Sequence, residues 1–593
     1  MKKAYSMVGA LAAAALALGA CGSGGKQELK VGSKNSISYS PGKQEWGGYN
    51  GSTVEAYSTT TAAVTDRVQS GFGYYDPQGV WKHGSDLGDY KKLSDDPLTV
   101  EYTVNEKAVY QGKTPITCED FYLDWVSQNP DWILEGQKAA GAVDEKSGQA
   151  QPLFNHVSSP EGYAHPVSEG PQCNEGEKKF TVKYDTVYPD WELNVSGPLP
   201  SHVVAKKIGM SKQDLFKALK NKDFAVAKKA AEAWNKWNDT APGKLPPAEE
   251  IPSFGPFALK QGGWKAKQYV TLERNPDWWG EKAGTKELII KQVEDDAQLQ
   301  ALANGDLNVI EPQATQDSIA RIKKTPNVTL LQGPTMVWEH LDYNFGSNSV
   351  FAENKGGINL RKAMAYCVPR SDIVQKLIKP LDPKAQVLNA REYFPTDKDY
   401  EDVVKASYNG EYDKVNIEKA KQHVAASGIK NPTVRIGYRN GNPRREETVA
   451  LITASCKKAG ITVKDNSSAK FMDEGGEYFT GQWDMALFGW NGSGQIVSGQ
   501  NIYQTKGQQN KSEYSNKTVD AEWKKVATSL DKGVWLESKK VIEKQLWDDL
   551  FGLPLYVQPG IVGYSNGLEN VKRNITQKQA LWNAEKWKWK SSE

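Results

Sequence analysis

Histidine and cysteine are scarce in this chain of 593 residues, which has six of the first and five of the second. The histidines, His83, His156, His165, His202, His340 and His423, nowhere stand at metal-ligand spacing, so solvated or structural roles are expected and no metal site. No Cys-x-x-Cys occurs, which argues against zinc and thioredoxin-like sites. An excess of one charge is missing too: 74 Lys and Arg face 72 Asp and Glu, and Lys2 and Lys3 account for the surplus. A nucleic-acid carrier would need a basic face, so none is expected. A mean hydropathy of −0.63 excludes a multi-span membrane protein. The sequence lacks His-Glu-x-x-His, Gly-x-Ser-x-Gly, a Walker A loop and Gly-x-Gly-x-x-Gly, so neither a common enzyme class nor a nucleotide cofactor is indicated. No fixed-period repeat is present either.

Aromatic residues are what the chain has in plenty, with 19 Trp and 26 Tyr. In a neutral chain they suit a large ligand groove, although most are expected in the core. Residues 1–20, MKKAYSMVGALAAAALALGA, join two lysines to an apolar run too short to span a bilayer, as a secretory signal does. Leu18-Gly19-Ala20-Cys21 resembles the bacterial lipobox, in which the cysteine is lipidated, and residues 21–30 would be a Gly-rich tether. Cys118, Cys173, Cys367 and Cys456 remain, an even number that suggests disulfides in an exported chain. Three pairings are possible; Cys118–Cys173 with Cys367–Cys456 is favoured, because each pair falls within one predicted lobe.

Strand and helix signals interleave. Leu98, Val100, Tyr102 and Val104 alternate with polar residues as in a half-buried strand, and Thr117-x-x-Asp120 opens a helix carrying Phe121 and Trp125. Strands are expected around Val270–Leu272, at 288–293 and at 307–310, with a helix between the last two capped by Asp296 and ended by Gly305. A charged helix or helix pair is expected over 211–237, and further helices over 360–367 and 446–459. Short strands alternating with helices indicate an α/β architecture, and the length indicates roughly four domains or lobes.

Several stretches then resemble one family in order. They are LTVEYTVNEKAVYQGKTPITCEDFYLDW at 98–125, Gly255-Pro256-Phe257 with LERNPDWWG at 272–280, and Gly305-Asp306. After them come LDYN at 341–344, INLRKAMAYCVPRSDIV at 358–374, MALFGWNGSG at 485–494 and Leu553-Pro554-Leu555-Tyr556. Together they resemble the extracellular solute-binding proteins of peptide and nickel ABC importers, family 5; with the lipobox and extra cysteines, they resemble its actinobacterial oligopeptide-binding lipoproteins. The resemblance implies a two-lobed periplasmic-binding-protein-like fold (type II, cluster C) with an inserted domain and a two-strand hinge. It divides the chain into domain I at 31–65, 186–337 and 556–593, domain II at 66–185, and domain III at 338–555. Lobes of this kind close around an extended peptide.

The resemblance also implies a site. Trp490 would pack on the ligand, beside Asn491 and Ser493. Tyr343 and Asn344 on the hinge strand, Tyr57, Thr59 and Thr60 from the first lobe, and the aromatics Trp46 and Trp338 would add contacts. Arg439, with Arg444 second, would hold the ligand's carboxylate. In the family an aspartate after the Gly-Trp pair grips the α-amine, and here Ser493 occupies that position. Losing a charge-assisted hydrogen bond of roughly 1.5–3 kcal/mol would weaken binding about 10–100-fold unless another carboxylate replaces it. Pro369 before Arg370 is a second departure, where relatives usually carry an acid. The expected function is a monomeric, lipid-anchored receptor on the extracellular face of the cell membrane. It would deliver oligopeptides to an ABC permease, with the membrane touched through the lipid alone and no cofactor. An oligosaccharide receptor of the same fold, a surface hydrolase and a sensor read by a signalling partner are the alternatives.

Overall fold

The computed structural model describes residues 35–590 apart from 144–147, 149, 158–165, 196 and 474. The leader at 1–20, Cys21 with its tether to residue 30, and His165 lie outside the described residues. Among the described residues, no helix is long and apolar enough to cross a membrane.

Two long strands organise the molecule. Val328–Tyr343 and Gly552–Ser565, of 16 and 14 residues, run antiparallel to each other. At about 3.4 Å per residue such strands are longer than one lobe needs, and each serves two. Strands Met485–Asn491, Thr433–Gly437 and Thr462–Asp465 extend the sheet on one side. Val309–Ile310, Ser36–Ser40, Glu287–Lys291, Tyr269–Arg274 and Phe257–Lys265 extend it on the other. The cores separate accordingly. One gathers side chains from Ile37 to Val309 and again from Val562 to Trp587, and the other from Leu341 to Tyr556.

Between the cores, Gly333 faces Gly560 and Pro334 faces Pro559. Neither proline can donate to the ladder, and pairing lapses from Pro334 to Trp338. The backbone ladder between the two strands is interrupted here. Arg573 lies over it and donates from Nη2 to the Pro334 carbonyl at 2.9 Å. A Cβ on Gly333 or Gly560 would come within 2.6 or 2.7 Å of its guanidinium nitrogens, so the two glycines leave room for Arg573 in this position. The fold is α/β and two-lobed, with a two-strand hinge.

A smaller sheet, Gly88–Asp95, Leu98–Val104 and Lys179–Lys183, stands apart from the large one. Leu98, Val100, Tyr102 and Val104 are all buried, as their alternation requires. Helix Cys118–Ser127 packs on this sheet through Phe121, whose ring lies 4.7 Å from that of Phe180. Its capping box is present: the Thr117 amide donates to Asp120 Oδ2 at 3.0 Å. Disulfides join Cys118 to Cys173 and Cys367 to Cys456, closing loops of 55 and 89 residues. In the chain-entropy account each stabilises its lobe by about 4–5 kcal/mol.

Some boundaries differ from the sequence reading. The charged segment forms two helices, Lys212–Lys220 and Phe224–Asn235, because Ser211 and Asp223 each cap one. Helix Asp295–Asn304 starts after Glu294 rather than Asp296, and Gly305 ends it at φ 78°. Helix Pro443–Cys456 starts three residues earlier than expected, because Asn442 accepts from the Arg445 amide and Pro443 suits a first turn.

Candidate functional site

A cavity of about 1700 Å³ opens between the two lobes. The hinge strand supplies Gln332 to Met336 and Trp338, and the strand beside it supplies Gly489 to Asn491 and the loop to Ser498. The third wall is the segment 382–397, backed by Lys539 from helix Lys532–Asp548. Eight glutamines and two asparagines line the space, so it offers many neutral donors and acceptors.

Trp490 lies opposite Trp338 across the antiparallel pair. Its ring is parallel to the His340 imidazole at 6.1 Å and meets Phe488 edge-on at 5.1 Å. His340 is held by Asp342, with Nδ1 2.8 Å from Oδ1. The indole Nε1 of Trp490 and Nε2 of His340 are buried without a hydrogen-bond partner. Beneath this wall, fully buried Glu339 accepts from Arg445 and Gln558. These contacts fix the plane of Trp490, which is the face a ligand would meet.

The opposite wall is charged. Glu543 accepts from the amides of Arg391 and Glu392 and, at 2.9 Å, from Arg391 Nη1. Lys539 Nζ donates to Glu392 Oε2 at 3.2 Å, and both side chains are over nine-tenths buried. Burial raises the Glu392 carboxyl above its ordinary range, against the opposing pull of Lys539. Asp397 is raised by burial as well.

The lobes touch at the rim. Asp190, 3% exposed, accepts from the amides of Ile496 at 2.6 Å and Val497 at 3.0 Å. Its neighbours Tyr188 and Trp191 pack on the first core, whereas Ile496 and Val497 pack on a cluster around Tyr503 and Trp523. The Tyr75 hydroxyl donates to the Ser493 carbonyl at 3.1 Å, and Gly494 leaves room for its ring. The lobes are thus in contact across the rim of the cavity.

Of the residues expected at the site, Trp490, Asn491, Ser493 and Trp338 are brought together on the cavity wall. Ser493 Oγ accepts from the Gln495 amide at 3.2 Å and so shapes the loop. The others lie elsewhere. Tyr343 is fully buried and donates to the Arg361 carbonyl at 3.0 Å, because its position on the strand faces the second core. Asn344 is buried, donating to the Trp483 carbonyl at 2.9 Å and accepting from the Gly346 amide at 2.8 Å. Trp46 packs edge-on against Trp264 at 5.2 Å in the first core. Tyr57 is 63% exposed, and Thr59 and Thr60 begin helix Thr59–Val68; none of the three lines the cavity. Arg439 is ion-paired to Asp473 on the surface, and the Arg444 guanidinium lies over the Tyr556 ring at 6.0 Å, both outside the lining. The sequence reading missed Arg391, Glu392, Asp397 and Lys539. REYFP at 391–395 follows an apolar stretch with two adjacent charges, which was the one local signal available.

Among the described residues, no group of three or more His, Cys, Asp and Glu is placed to hold a metal ion. Comparison with known proteins fits this geometry. The model of bacterial extracellular solute-binding proteins, family 5, matches residues 84–512. A lipoprotein of Mycobacterium tuberculosis, Rv2585c, is 26% identical over 559 residues, covering 91% of this chain and 90% of that protein. The oligopeptide-binding protein OppA of the same species is 24% identical over 490 residues, covering 80% of this chain and 71% of its own length. The periplasmic EDTA-binding protein EppA superposes with a TM-score of 0.77 at 19% identity, covering 94% of this chain and 97% of that one. AppA of Bacillus subtilis, solved with a nonapeptide, superposes at 0.65 with 17% identity, covering 94% and 99%. The chain belongs to family 5 of the bacterial extracellular solute-binding proteins, the substrate-binding components of ABC importers.

Proposed function

We propose that this protein captures oligopeptides between its lobes and hands them to the permease of an ABC importer. The observation that carries the reading is the cavity itself. Pockets for drug-sized ligands are roughly 300–1,000 Å³, and about 1700 Å³ suits an oligomeric ligand. Backbone groups near the ends of the paired strands offer an extended peptide hydrogen bonds independent of its side chains, while hydrated amide pockets adapt to varied residues. The OppA relatives and the nonapeptide bound to AppA support the peptide class. The chain acts as a receptor and transforms nothing, in keeping with its family. A lipid on Cys21 tethers it as a monomer to the outer face of the cell membrane; the relatives named as lipoproteins support the anchor.

The second reading, a neutral oligosaccharide or similar solute, draws on the ten amide side chains and the two tryptophans. Mass spectrometry of the small molecules released from the purified protein separates the two. Peptides of several residues are expected; a carbohydrate, EDTA as in the name of EppA, or a nickel–histidine complex as in NikZ, contradicts the peptide reading.

A further inference from the structure

Ser493 leaves the ligand loop without a carboxylate, and the structure offers another on the facing wall. We infer that Glu392 is the anchor for a ligand ammonium, the free α-amine of a bound peptide. The inference rests on the peptide reading above and deepens it.

Elimination among the nearby carboxyls leads to Glu392. Glu543 is saturated by Arg391 and by the Glu392 amide. Both oxygens of Asp190 are taken by the amides of Ile496 and Val497. Asp382 and Asp397 each give one oxygen to a local amide, of Lys384 at 3.0 Å and of Phe394 at 2.7 Å, and Asp397 is exposed to water. Glu392 keeps one oxygen committed to Lys539, while Oε1 accepts no hydrogen bond from any described residue. Its side chain is 9% exposed and lines the cavity. Gly499, on the continuation of the ligand loop, has no side chain where Oε1 lies; a Cβ there would come within 2.2 Å of that oxygen.

The local charge agrees. Lys539 is an ammonium that pulls on the carboxyls of Asp190, Glu392 and Asp397, and Arg391 is paired with Glu543. Carboxylates outnumber ammonium groups around Lys539, which favours a further cation beside Glu392 over a carboxylate. Lys539 holds Oε2 and leaves Oε1, beside Gly499, without a hydrogen bond from any described residue. One charge-assisted hydrogen bond to a buried carboxylate separates an amine from its acetylated form by about 10- to 100-fold in affinity.

The test is calorimetric titration of the full chain with tri-, tetra- and pentaalanine, each with a free and with an acetylated N-terminus. The wild type is expected to prefer the free amine 10- to 100-fold. In Glu392→Gln, and in the double variant Glu392→Gln/Lys539→Met that leaves no unpaired buried charge, the preference is expected to fall below threefold. Binding of the acetylated peptides is expected to stay within threefold of wild type in both variants. Equal wild-type affinity for the two forms overturns the inference and leaves the peptide reading standing. So does a preference that survives in the double variant, or a larger loss in Asp397→Asn than in Glu392→Gln. Wild type that binds none of these peptides overturns the peptide reading and the inference with it.

Discussion

The two walls of the cavity are built on different physics. The Trp490 wall is a piece of regular sheet, whose backbone ladder holds Trp338 and Trp490 opposite each other and whose rings stack on His340 and Phe488. The ring contacts there are individually weak and replaceable, and the buried Glu339–Arg445 and His340–Asp342 pairs lie behind them. The Glu392 wall is held by two buried ion pairs, Arg391–Glu543 and Glu392–Lys539, drawn from a loop and a helix. There each charge depends on one partner, and losing that partner leaves a desolvated charge. The sheet wall should therefore tolerate change in stability and lose affinity, whereas the charged wall should lose stability first.

The largest effect is expected from Glu543→Ala, which leaves Arg391 buried and unpaired. A loss of about 3–5 kcal/mol in the denaturant unfolding of the second lobe is expected, with over half recovered in the Arg391→Met/Glu543→Leu pair. A loss under 1 kcal/mol would erase the contrast between the walls. Trp490→Ala comes next. Its unfolding midpoint should shift little, while peptide affinity measured by calorimetry falls about 10–100-fold, as at other aromatic hot spots. A large drop in stability with affinity unchanged would make Trp490 a core residue.

Asp190→Asn sharpens the comparison at the rim, where the lobes meet. Exchanging the carboxylate for an amide keeps one acceptor for the Ile496 and Val497 amides and turns an NH2 donor toward the other, at a cost of about 1–2 kcal/mol. Stopped-flow measurement should show about 5- to 30-fold faster ligand release, with the association rate nearly unchanged. Arg439→Ala is expected to do least. Its pair with Asp473 is about half exposed on both sides, so stability should change by under about 1 kcal/mol and affinity by under twofold.

The same contrast explains what could be read from the sequence. The Gly-Trp loop, the alternation at 98–104 and the Thr117 capping box are local patterns, and each lies where its pattern puts it. Both disulfides match the favoured pairing. Tyr343 and Asn344 follow Trp338 on one strand, but alternation alone does not say which face meets the cavity, and they turned out to face the core. The hinge at Gly333-Pro334 and Pro559-Gly560 becomes visible only when the two segments are paired. Glu392 and Lys539 are 147 residues apart, and nothing local to either announces the other.

Closure of the two lobes over a ligand bound against Trp490 is the central event in the proposed capture. Titrating the full chain with the free-amine alanine peptides while following tryptophan fluorescence tests it most directly. A saturable one-to-one signal is expected, strongly reduced in Trp490→Phe and with the peptide recovered intact. A flat titration, or a peptide recovered cleaved, would contradict it.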